Sequence, residues 1–312
     1  MLFEMPASQD KRRNCIQRAV RQKKKKLFFW RISASLTRRM KTLIIKAVQQ
    51  EGAPVPRHDS KIMKILSIGN SFSQDAHAYL HDAAASAGLS LDCVNLYIGG
   101  CSLERHYNNL LSGEKAYVPE YNGLAESELV SLPEMLAGER YDIVTLQQAS
   151  HFSGKYETYD PYITELLGAV KKSQPNAKIY IHETWAYETD CQYPLFANYG
   201  CSQAEMYRSL REAYSRISRE LGLELIPAGS CVQYFRENLP QFDYAHGGKP
   251  LTRDGFHMSI PIGRLIVALV WLEKLFGADA SKSVFVPAEA ADEDTTLLPE
   301  VRINVHRFMS SL

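Results

Sequence analysis

The sequence has no Cys-x-x-Cys pair, although it contains six cysteines. Structural zinc sites and thioredoxin-like redox proteins place cysteines at that spacing, so neither class is indicated. The sequence also has no P-loop, and no Gly-x-Gly-x-x-Gly motif follows a predicted strand. Both motifs hold phosphates on backbone N–H groups, so the use of a nucleotide or dinucleotide is not expected.

No apolar run is long enough to cross a membrane. The most apolar segment, 265–272, is bounded by Arg264 and Glu273, and a spanning helix needs about 20 apolar residues. A secretory signal needs about seven to fifteen uninterrupted apolar residues, and charges interrupt every such stretch in residues 1–62. We therefore expect no stable membrane insertion and favour a cytoplasmic location, with export open if the N-terminus is misassigned.

Charge is distributed unevenly along the chain. Residues 1–62 contain sixteen of the 36 Lys and Arg residues and four of the 35 Asp and Glu residues. Such a basic leader can bind an anionic surface, and it is also typical of a disordered tail. Because Met63 directly precedes the first predicted strand, the leader can also be a non-native extension. We expect no nucleic-acid partner and a single folded domain over 63–312.

From Lys64 onward, short β-branched runs alternate with helical patterns. The predicted strands are 64–68, 91–98, 141–146, 177–182 and 223–227, and the longest predicted helices are 74–88, 203–221 and 261–276. Strands separated by helices favour parallel pairing with right-handed crossovers. The predicted fold class is α/β, as a three-layer α/β/α sandwich with a mainly parallel sheet.

The first predicted strand ends at Gly69-Asn70-Ser71, and a helical pattern follows. A serine at such a turn lies at the carboxyl edge of the sheet, where open α/β folds bind ligands. The helix N-terminus beside it favours developing negative charge. Ser71 is therefore a candidate nucleophile, although Asn-Ser after a strand is also ordinary N-cap chemistry.

A second candidate site follows near the C-terminus, at Asp254-Gly255-Phe256-His257. A carboxylate three residues before a histidine can reach that histidine's ring. Asp254 can then fix the tautomer of His257, so that the other ring nitrogen faces a serine hydroxyl as a general base.

Together these two segments resemble the SGNH, or GDSL-like, serine hydrolase superfamily, in its carbohydrate-esterase-like branch. In that family the nucleophilic serine follows the first strand in a Gly-Asp-Ser block, and an Asp-x-x-His block lies near the C-terminus. Here Asn70 replaces the family's Asp. The resemblance implies an SGNH-like hydrolase domain over 63–312, with a five-stranded sheet in flavodoxin-like strand order.

The resemblance also implies an oxyanion hole. Its donors are the backbone N–H of Ser71 and the N–H of a glycine after the second strand, for which Gly100 is the candidate. The family's Asn after the third strand is absent, and Gln148 offers the remaining side-chain amide.

The activity implied is that of a serine esterase that removes a short acyl group, acetyl, from a carbohydrate through an acyl-enzyme. Neither a metal nor an organic cofactor is required, and the expected partner is a small-molecule or glycan ester. Trp185, His151 and Glu183 are the substrate-binding candidates, because they lie at or just past predicted strand ends. The oligomeric state is not predicted.

Several alternatives stay open at this point. The same triad can serve a lipid or thioester hydrolase. The departures at Asn70 and Gln148 are also compatible with a non-catalytic carbohydrate-binding relative. His77 and His81 stand four apart on the first predicted helix, a spacing that can hold a metal, but no third ligand is evident and an exposed helix face explains the pair better.

Overall fold

The computed structural model of the chain describes residues 61–312, and the prediction for the leader 1–62 falls almost entirely outside them. The strands in this range are β1 Met63–Gly69, β2 Leu91–Tyr97, β3 Val118–Tyr121, β4 Leu124–Ala125, β5 Ile143–Leu146, β6 Lys178–His182 and β7 Glu224–Ile226. The α-helices are α1 Ser71–Ser86, α2 Leu103–Ser112, α3 Leu132–Gly138, α4 Tyr162–Ser173, α5 Gln203–Leu221, α6 Ala228–Asn238, α7 Ile262–Phe276, α8 Asp292–Thr295 and α9 Leu298–Met309.

The strands form one sheet in the order β4-β3-β2-β1-β5-β6-β7. β2, β1, β5, β6 and β7 pair in parallel. These five are the predicted strands, and their spatial order is the flavodoxin-like one. The sheet is larger than predicted, because β3 and β4 extend it beyond β2 in antiparallel pairing.

The helices lie on both faces of this sheet. The chain moves from β1 outward to β2 and later returns past β1 to β5, so the direction of strand order reverses at β1. Right-handed crossovers on the two sides of a reversal place helices on opposite faces. Accordingly α1 packs on α7, which also contacts α6 and α9, whereas α2 and α3 pack on α4. This arrangement confirms the three-layer α/β/α class.

The core lies between the sheet and these helices. Ile65, Leu66 and Ile68 of β1 are fully inaccessible, and residues 265–272 of α7 are buried throughout. A helix that is apolar all round is expected to be enclosed on every side. No helix within 61–312 is both long enough and apolar enough to cross a membrane.

The reversal at β1 also predicts where a ligand binds. In open α/β sheets the crevice forms outside the carboxyl ends of the strands at such a switch point. β1 ends at Gly69, with β2 and β5 on its two sides. The loops that follow these three strands therefore meet at one edge of the sheet.

Candidate active site

Ser71 is the first residue of α1, and Asn70 is the N-cap of that helix. The Oδ1 atom of Asn70 accepts the N–H of Phe72 at 3.0 Å, and the hydroxyl of Ser73 accepts the N–H of Asn70 at 3.0 Å. These reciprocal bonds form a capping box, which fixes the entry of the chain into the helix. Ser71 is therefore held at a rigid turn at the carboxyl end of β1.

Gly69 makes this tight turn possible. A Cβ atom at position 69 would lie 2.0 Å from Oγ of Ser73. That hydroxyl is fixed in place, because it also bonds to Oδ1 of Asn95 on β2 at 2.7 Å. A side chain at position 69 would therefore displace the capping box and Ser71 with it.

Asp254 and His257 form a hydrogen-bonded pair. Nδ1 of His257 donates to Oδ2 of Asp254 at 2.7 Å, and Oδ1 of Asp254 accepts the backbone N–H groups of Phe256 and His257 at 3.2 and 2.8 Å. Burial alone would raise the pKa of Asp254, but the bonds from His257 and the backbone outweigh burial and hold that pKa below its usual value. An ionised Asp254 orients the His257 ring and stabilises the imidazolium form.

The fold brings the Ser71 turn close to the Asp254–His257 segment. Phe72 follows Ser71, and its ring centroid lies 6.2 Å from that of His257. Within residues 61–312, neither Nε2 of His257 nor Oγ of Ser71 has a hydrogen-bond partner. Catalytic hydrogen bonds often tighten only in the substrate complex, so the lack of a bond between these two atoms does not oppose a shared role.

Trp185 fills the space behind this pair. Its ring stacks on Phe72 at 4.3 Å, and its indole N–H donates to the carbonyl oxygen of Phe256 at 2.7 Å. The side chain is fully buried. Trp185 therefore supports the first turn of α1 and the Asp254–His257 segment, and its burial corrects the prediction that it binds substrate.

The two backbone N–H groups predicted as oxyanion donors belong to Ser71 and Gly100. Gly100 follows β2 with φ at +62°, a conformation that favours glycine. Within residues 61–312, the N–H groups of Ser71 and Gly100 have no hydrogen-bond partner. The side-chain amide of Asn70 donates to the carbonyl oxygen of Cys101 at 3.1 Å, which joins the Ser71 turn to the Gly100 turn.

Gln148 does not supply a free donor. Its Nε2 donates to the carbonyl and hydroxyl oxygens of Thr158 at 3.0 and 3.1 Å, and its Oε1 accepts the N–H groups of Leu103 and Ala149 at 3.0 and 2.8 Å. The contacts therefore correct the prediction that this amide serves the oxyanion hole. Gln148 joins the start of α2 to the loop that follows β5.

Glu183 and His151 differ in their exposure. Glu183 is fully buried, and its carboxylate accepts the N–H and hydroxyl of Ser230 in the first turn of α6 at 2.7 and 3.0 Å. A buried helix anchor cannot contact substrate, so its prediction as a binding residue is corrected. His151 is half-buried with its ring centroid 4.3 Å from that of Phe152, and burial lowers its pKa. Its role in substrate binding stays a prediction.

Gln147, the neighbour of Gln148, was not predicted as a site residue. Its Nε2 donates to Oδ1 of Asn70 at 2.6 Å, and its Oε1 accepts Nδ1–H of His182 at 2.5 Å. Burial lowers the pKa of His182 to about 3, so this ring is neutral. The result is a buried series of hydrogen bonds from His182 on β6 through Gln147 to Asn70, the residue that caps α1. The sequence alone does not distinguish Gln147 from Gln148, because both follow the same strand.

The histidine pair on α1 serves the fold. His77 is buried and its Nε2 bonds to Oγ of Ser67 at 2.8 Å, whereas Nδ1 of His81 bonds to the carbonyl oxygen of Leu91 at 2.6 Å. No group of three or more metal-ligating side chains is found within residues 61–312. Both rings thus attach α1 to the neighbouring strands.

A cleft of about 280 Å³ borders Asp254. Seven of the ten residues that line it are of polar or charged type; the lining comprises Glu188, Asp190, Cys191, Gln192, Tyr244, Pro250, Thr252, Arg253, Asp254 and Gly255. Within it, the hydroxyl of Tyr244 donates to Oδ2 of Asp190 at 2.8 Å. The cleft therefore suits a small ligand with several hydrogen-bonding groups.

Comparison with known proteins places the chain in a family. Residues 64–300 match the family model described as "Domain of unknown function (DUF4886)". The chain is similar to the crystal structure of a DUF4886 family protein from Bacteroides uniformis, at 30% identity and a TM-score of 0.72, over 80% of this chain and 95% of that one. No curated protein matches the chain.

More distant likenesses are to hydrolases. A proposed SGNH hydrolase from Slackia heliotrinireducens matches at 22% identity and a TM-score of 0.47, over 69% of this chain and all of that one. A catalytic mutant of Axe2, an acetylxylan esterase from Geobacillus stearothermophilus, matches at 14% identity and a TM-score of 0.44, over 69% and 94%. Membership of the family rests on the family model and the Bacteroides uniformis protein.

Proposed function

Since the chain belongs to the DUF4886 family, whose description names no activity, we propose its function from the site itself: a serine hydrolase of carboxylic esters. The observation that carries this proposal is the hydrogen-bonded Asp254–His257 pair beside the helix N-terminus that bears Ser71. Nucleophile, base and orienting carboxylate are the three components that acyl transfer through a serine requires.

The first half-reaction forms an acyl-enzyme. Oγ of Ser71 attacks the ester carbonyl carbon while Nε2 of His257 takes the hydroxyl proton. The carbonyl oxygen then carries a negative charge, which the N–H groups of Ser71 and Gly100 stabilise together with the N-terminus of α1. When the tetrahedral intermediate collapses, the carbon–oxygen bond to the alcohol breaks and Nε2 returns the proton to the leaving oxygen.

The second half-reaction repeats these steps with water. Nε2 of His257 takes a proton from water as its oxygen attacks the acyl carbon. Collapse breaks the bond to Oγ of Ser71, which recovers its proton, and releases the carboxylic acid. Asp254 keeps the same ring nitrogen protonated throughout, so His257 presents Nε2 in both halves.

For the substrate we propose a short acyl ester, acetyl, of a carbohydrate. The polar cleft beside Asp254 supports a hydroxyl-rich alcohol over a lipid chain, because carboxylates and hydroxyls there would lose hydrogen bonds against an alkyl tail. The buried Trp185 cannot stack on a sugar ring, so the proposal of a carbohydrate rests on the polar residues that line the cleft.

The test is turnover of p-nitrophenyl acetate by the full chain and by Ser71→Ala. The variant should lose several orders of magnitude in kcat, whereas Ser127→Ala, which alters an exposed serine, should behave as the parent. A serine-reactive phosphonate should label Ser71 in the parent and not in its alanine variant. Residual activity above about a tenth of the parent in Ser71→Ala would sink the assignment.

A substrate panel tests the finer proposal. p-Nitrophenyl esters from acetyl to decanoyl separate short-chain from lipid hydrolysis, and acetylated xylo-oligosaccharides test for released acetate. Preference for decanoyl over acetyl esters would show a lipid hydrolase on the same residues. Binding of the oligosaccharides without turnover of any ester would show a non-catalytic carbohydrate-binding protein.

A further inference from the structure

Asp75 lies one helical turn after Ser71 on α1, and its side chain is fully buried. Its carboxylate bonds to three groups within residues 253–264, much later in the sequence. Oδ1 accepts from the guanidinium groups of Arg253 and Arg264 at 2.9 and 2.8 Å, and Oδ2 accepts the backbone N–H of Met258 at 2.8 Å. One side chain thus joins three separate parts of the C-terminal region to the helix of Ser71.

Two of these partners adjoin the catalytic pair. Arg253 directly precedes Asp254, and Met258 directly follows His257. Arg253 closes this short segment on itself, since its backbone N–H donates to the carbonyl oxygen of His257 at 2.8 Å and its guanidinium to that of Met258 at 2.5 Å. The segment is therefore a closed loop, and Asp75 holds both of its ends.

Stability alone is a poor explanation for this arrangement. Removing the Asp75 carboxylate and part of two guanidinium groups from water costs much of the free energy that their attraction returns, so apolar residues of similar volume are often as stabilising. What the ionic contact provides is geometry, because two guanidinium groups and an N–H fix both carboxylate oxygens in direction and distance.

We propose that Asp75 is a positioning residue that sets the distance between Ser71 and His257. This inference rests on the proposed function, because it concerns the same two side chains. α1 fixes Ser71, the closed loop fixes His257, and within residues 61–312 Asp75 is the side chain that bonds directly from α1 to that loop. A displacement of about 1 Å between reacting groups can lower a rate by about 10²-fold.

Asparagine cannot replace Asp75 in this position. An amide has one acceptor oxygen and one donor nitrogen. In one orientation the NH₂ group meets the two guanidinium groups, and in the other it meets the N–H of Met258. In either orientation an N–H donor faces another N–H donor. The closed loop must therefore move away from α1.

The experiment measures p-nitrophenyl acetate turnover and phosphonate labelling of Ser71 in the full chain. Asp75→Asn should lower kcat by about 10²-fold with little change in KM, and it should slow labelling by the same factor. Arg253→Lys keeps the charge on a partly exposed side chain, but its ammonium ends one bond short of the Nη1 atom that bonds to both Asp75 and Met258. It should show a smaller fall in kcat, again at unchanged KM, and it decides the question if Asp75→Asn does not fold.

Glu273→Gln is the matched control. Glu273 accepts the N–H of Ala280 at 3.0 Å and bonds to His306 at 2.8 Å, so it is a comparable carboxylate contact near the opposite end of α7. This variant should lower Tm and leave kcat unchanged. Folded Asp75→Asn with parental kcat, or an equal fall in kcat for Glu273→Gln, would overturn the positioning role alone. A parent without Ser71-dependent turnover would overturn both proposals.

Discussion

The side-chain amide of Asn70 donates to the carbonyl oxygen of Cys101 across 3.1 Å. Asn70 precedes the proposed nucleophile, and Cys101 follows the glycine that we propose as the second oxyanion donor. The bond therefore joins the two turns that carry the proposed oxyanion donors. It also gives a physical reason for asparagine at a position where SGNH hydrolases carry aspartate, because a carboxylate has no hydrogen to offer a carbonyl.

Asn70→Asp should accordingly impair the protein, although it restores the residue found in those hydrolases. A carboxylate oxygen would face the Cys101 carbonyl oxygen, which removes one hydrogen bond and adds repulsion. The free energy of unfolding should fall by about 1–3 kcal/mol, and kcat on p-nitrophenyl acetate should fall with it. Urea unfolding and steady-state kinetics measure the two effects.

The control for this change is Asn238→Asp. Asn238 also donates its amide to a carbonyl oxygen, that of Tyr234 at 2.9 Å, but on the exposed end of α6. Its replacement should leave kcat unchanged. Parental stability and kcat in Asn70→Asp would show that the Cys101 contact does not set the spacing of the two turns.

Gly100→Ala should separate backbone strain from catalysis. Gly100 and Gly113 have φ values of +62° and +67°, and an added Cβ meets nothing within 4 Å at either position. Alanine at each should therefore cost the same strain, about 1–2 kcal/mol. If the backbone relaxes to relieve this strain, the N–H of residue 100 should rotate away from the oxyanion and kcat should fall. No such effect on kcat is expected at position 113. An equal effect of both variants on kcat would remove Gly100 from the proposed oxyanion hole.

How much of this structure the sequence predicts depends on how local the signal is. The parallel strands and the helices Gln203–Leu221 and Ile262–Phe276 follow from short-range periodicity, and the structure places them within one or two residues. β3 has no such signal, because it contains Pro119 and Glu120 and pairs with a strand of two residues. α6 has no counterpart among the helices that the sequence predicts, and its first turn is held by the distant Glu183.

In the candidate site, too, local contacts can be predicted from the sequence and distant ones cannot. The Asp254–His257 pair is predictable because both residues belong to one turn. The roles of Gln147, Gln148 and Trp185 are set mainly by partners ten or more residues away, so their residue types alone could not assign them. Nothing in the sequence around Asp75 indicates its role, because its three partners lie 178 to 189 residues later in the sequence.

Gln148→Leu should destabilise the protein without slowing the reaction. Leucine has a similar volume but loses the bonds to Thr158, Leu103 and Ala149, and the buried groups left unpaired cost about 1–3 kcal/mol each. An oxyanion donor would instead show a fall in kcat of about 10²-fold. Thermal unfolding and kcat of the folded variant distinguish the two. A large fall in kcat at unchanged Tm would restore Gln148 to the oxyanion hole.

Acid should weaken the fold well before the carboxylates titrate. His77, His106 and His182 are buried, and burial lowers the pKa of each from 6.5 to about 3. Between these values the unfolded chain binds three protons that the folded chain does not, so the free energy of unfolding falls as pH falls from about 6.5 toward 3. Each histidine contributes about 1.4 kcal/mol between pH 7.5 and 5.5. Urea unfolding at those two pH values should therefore differ by about 4 kcal/mol.

His106→Gln tests whether the buried histidines cause this loss of stability in acid. It removes one of the three buried imidazoles, at a position distant in sequence from the Asp254–His257 pair. Its loss of stability between pH 7.5 and 5.5 should be smaller than that of the parent by about a third, since glutamine binds no proton in either state. His246→Gln alters a side chain that is 82% exposed, so it should keep the full parental loss. The half-buried His151 adds to the loss in the same direction, because burial also lowers its pKa. An identical pH dependence in His106→Gln and the parent would show that the acid sensitivity arises from groups other than the buried histidines.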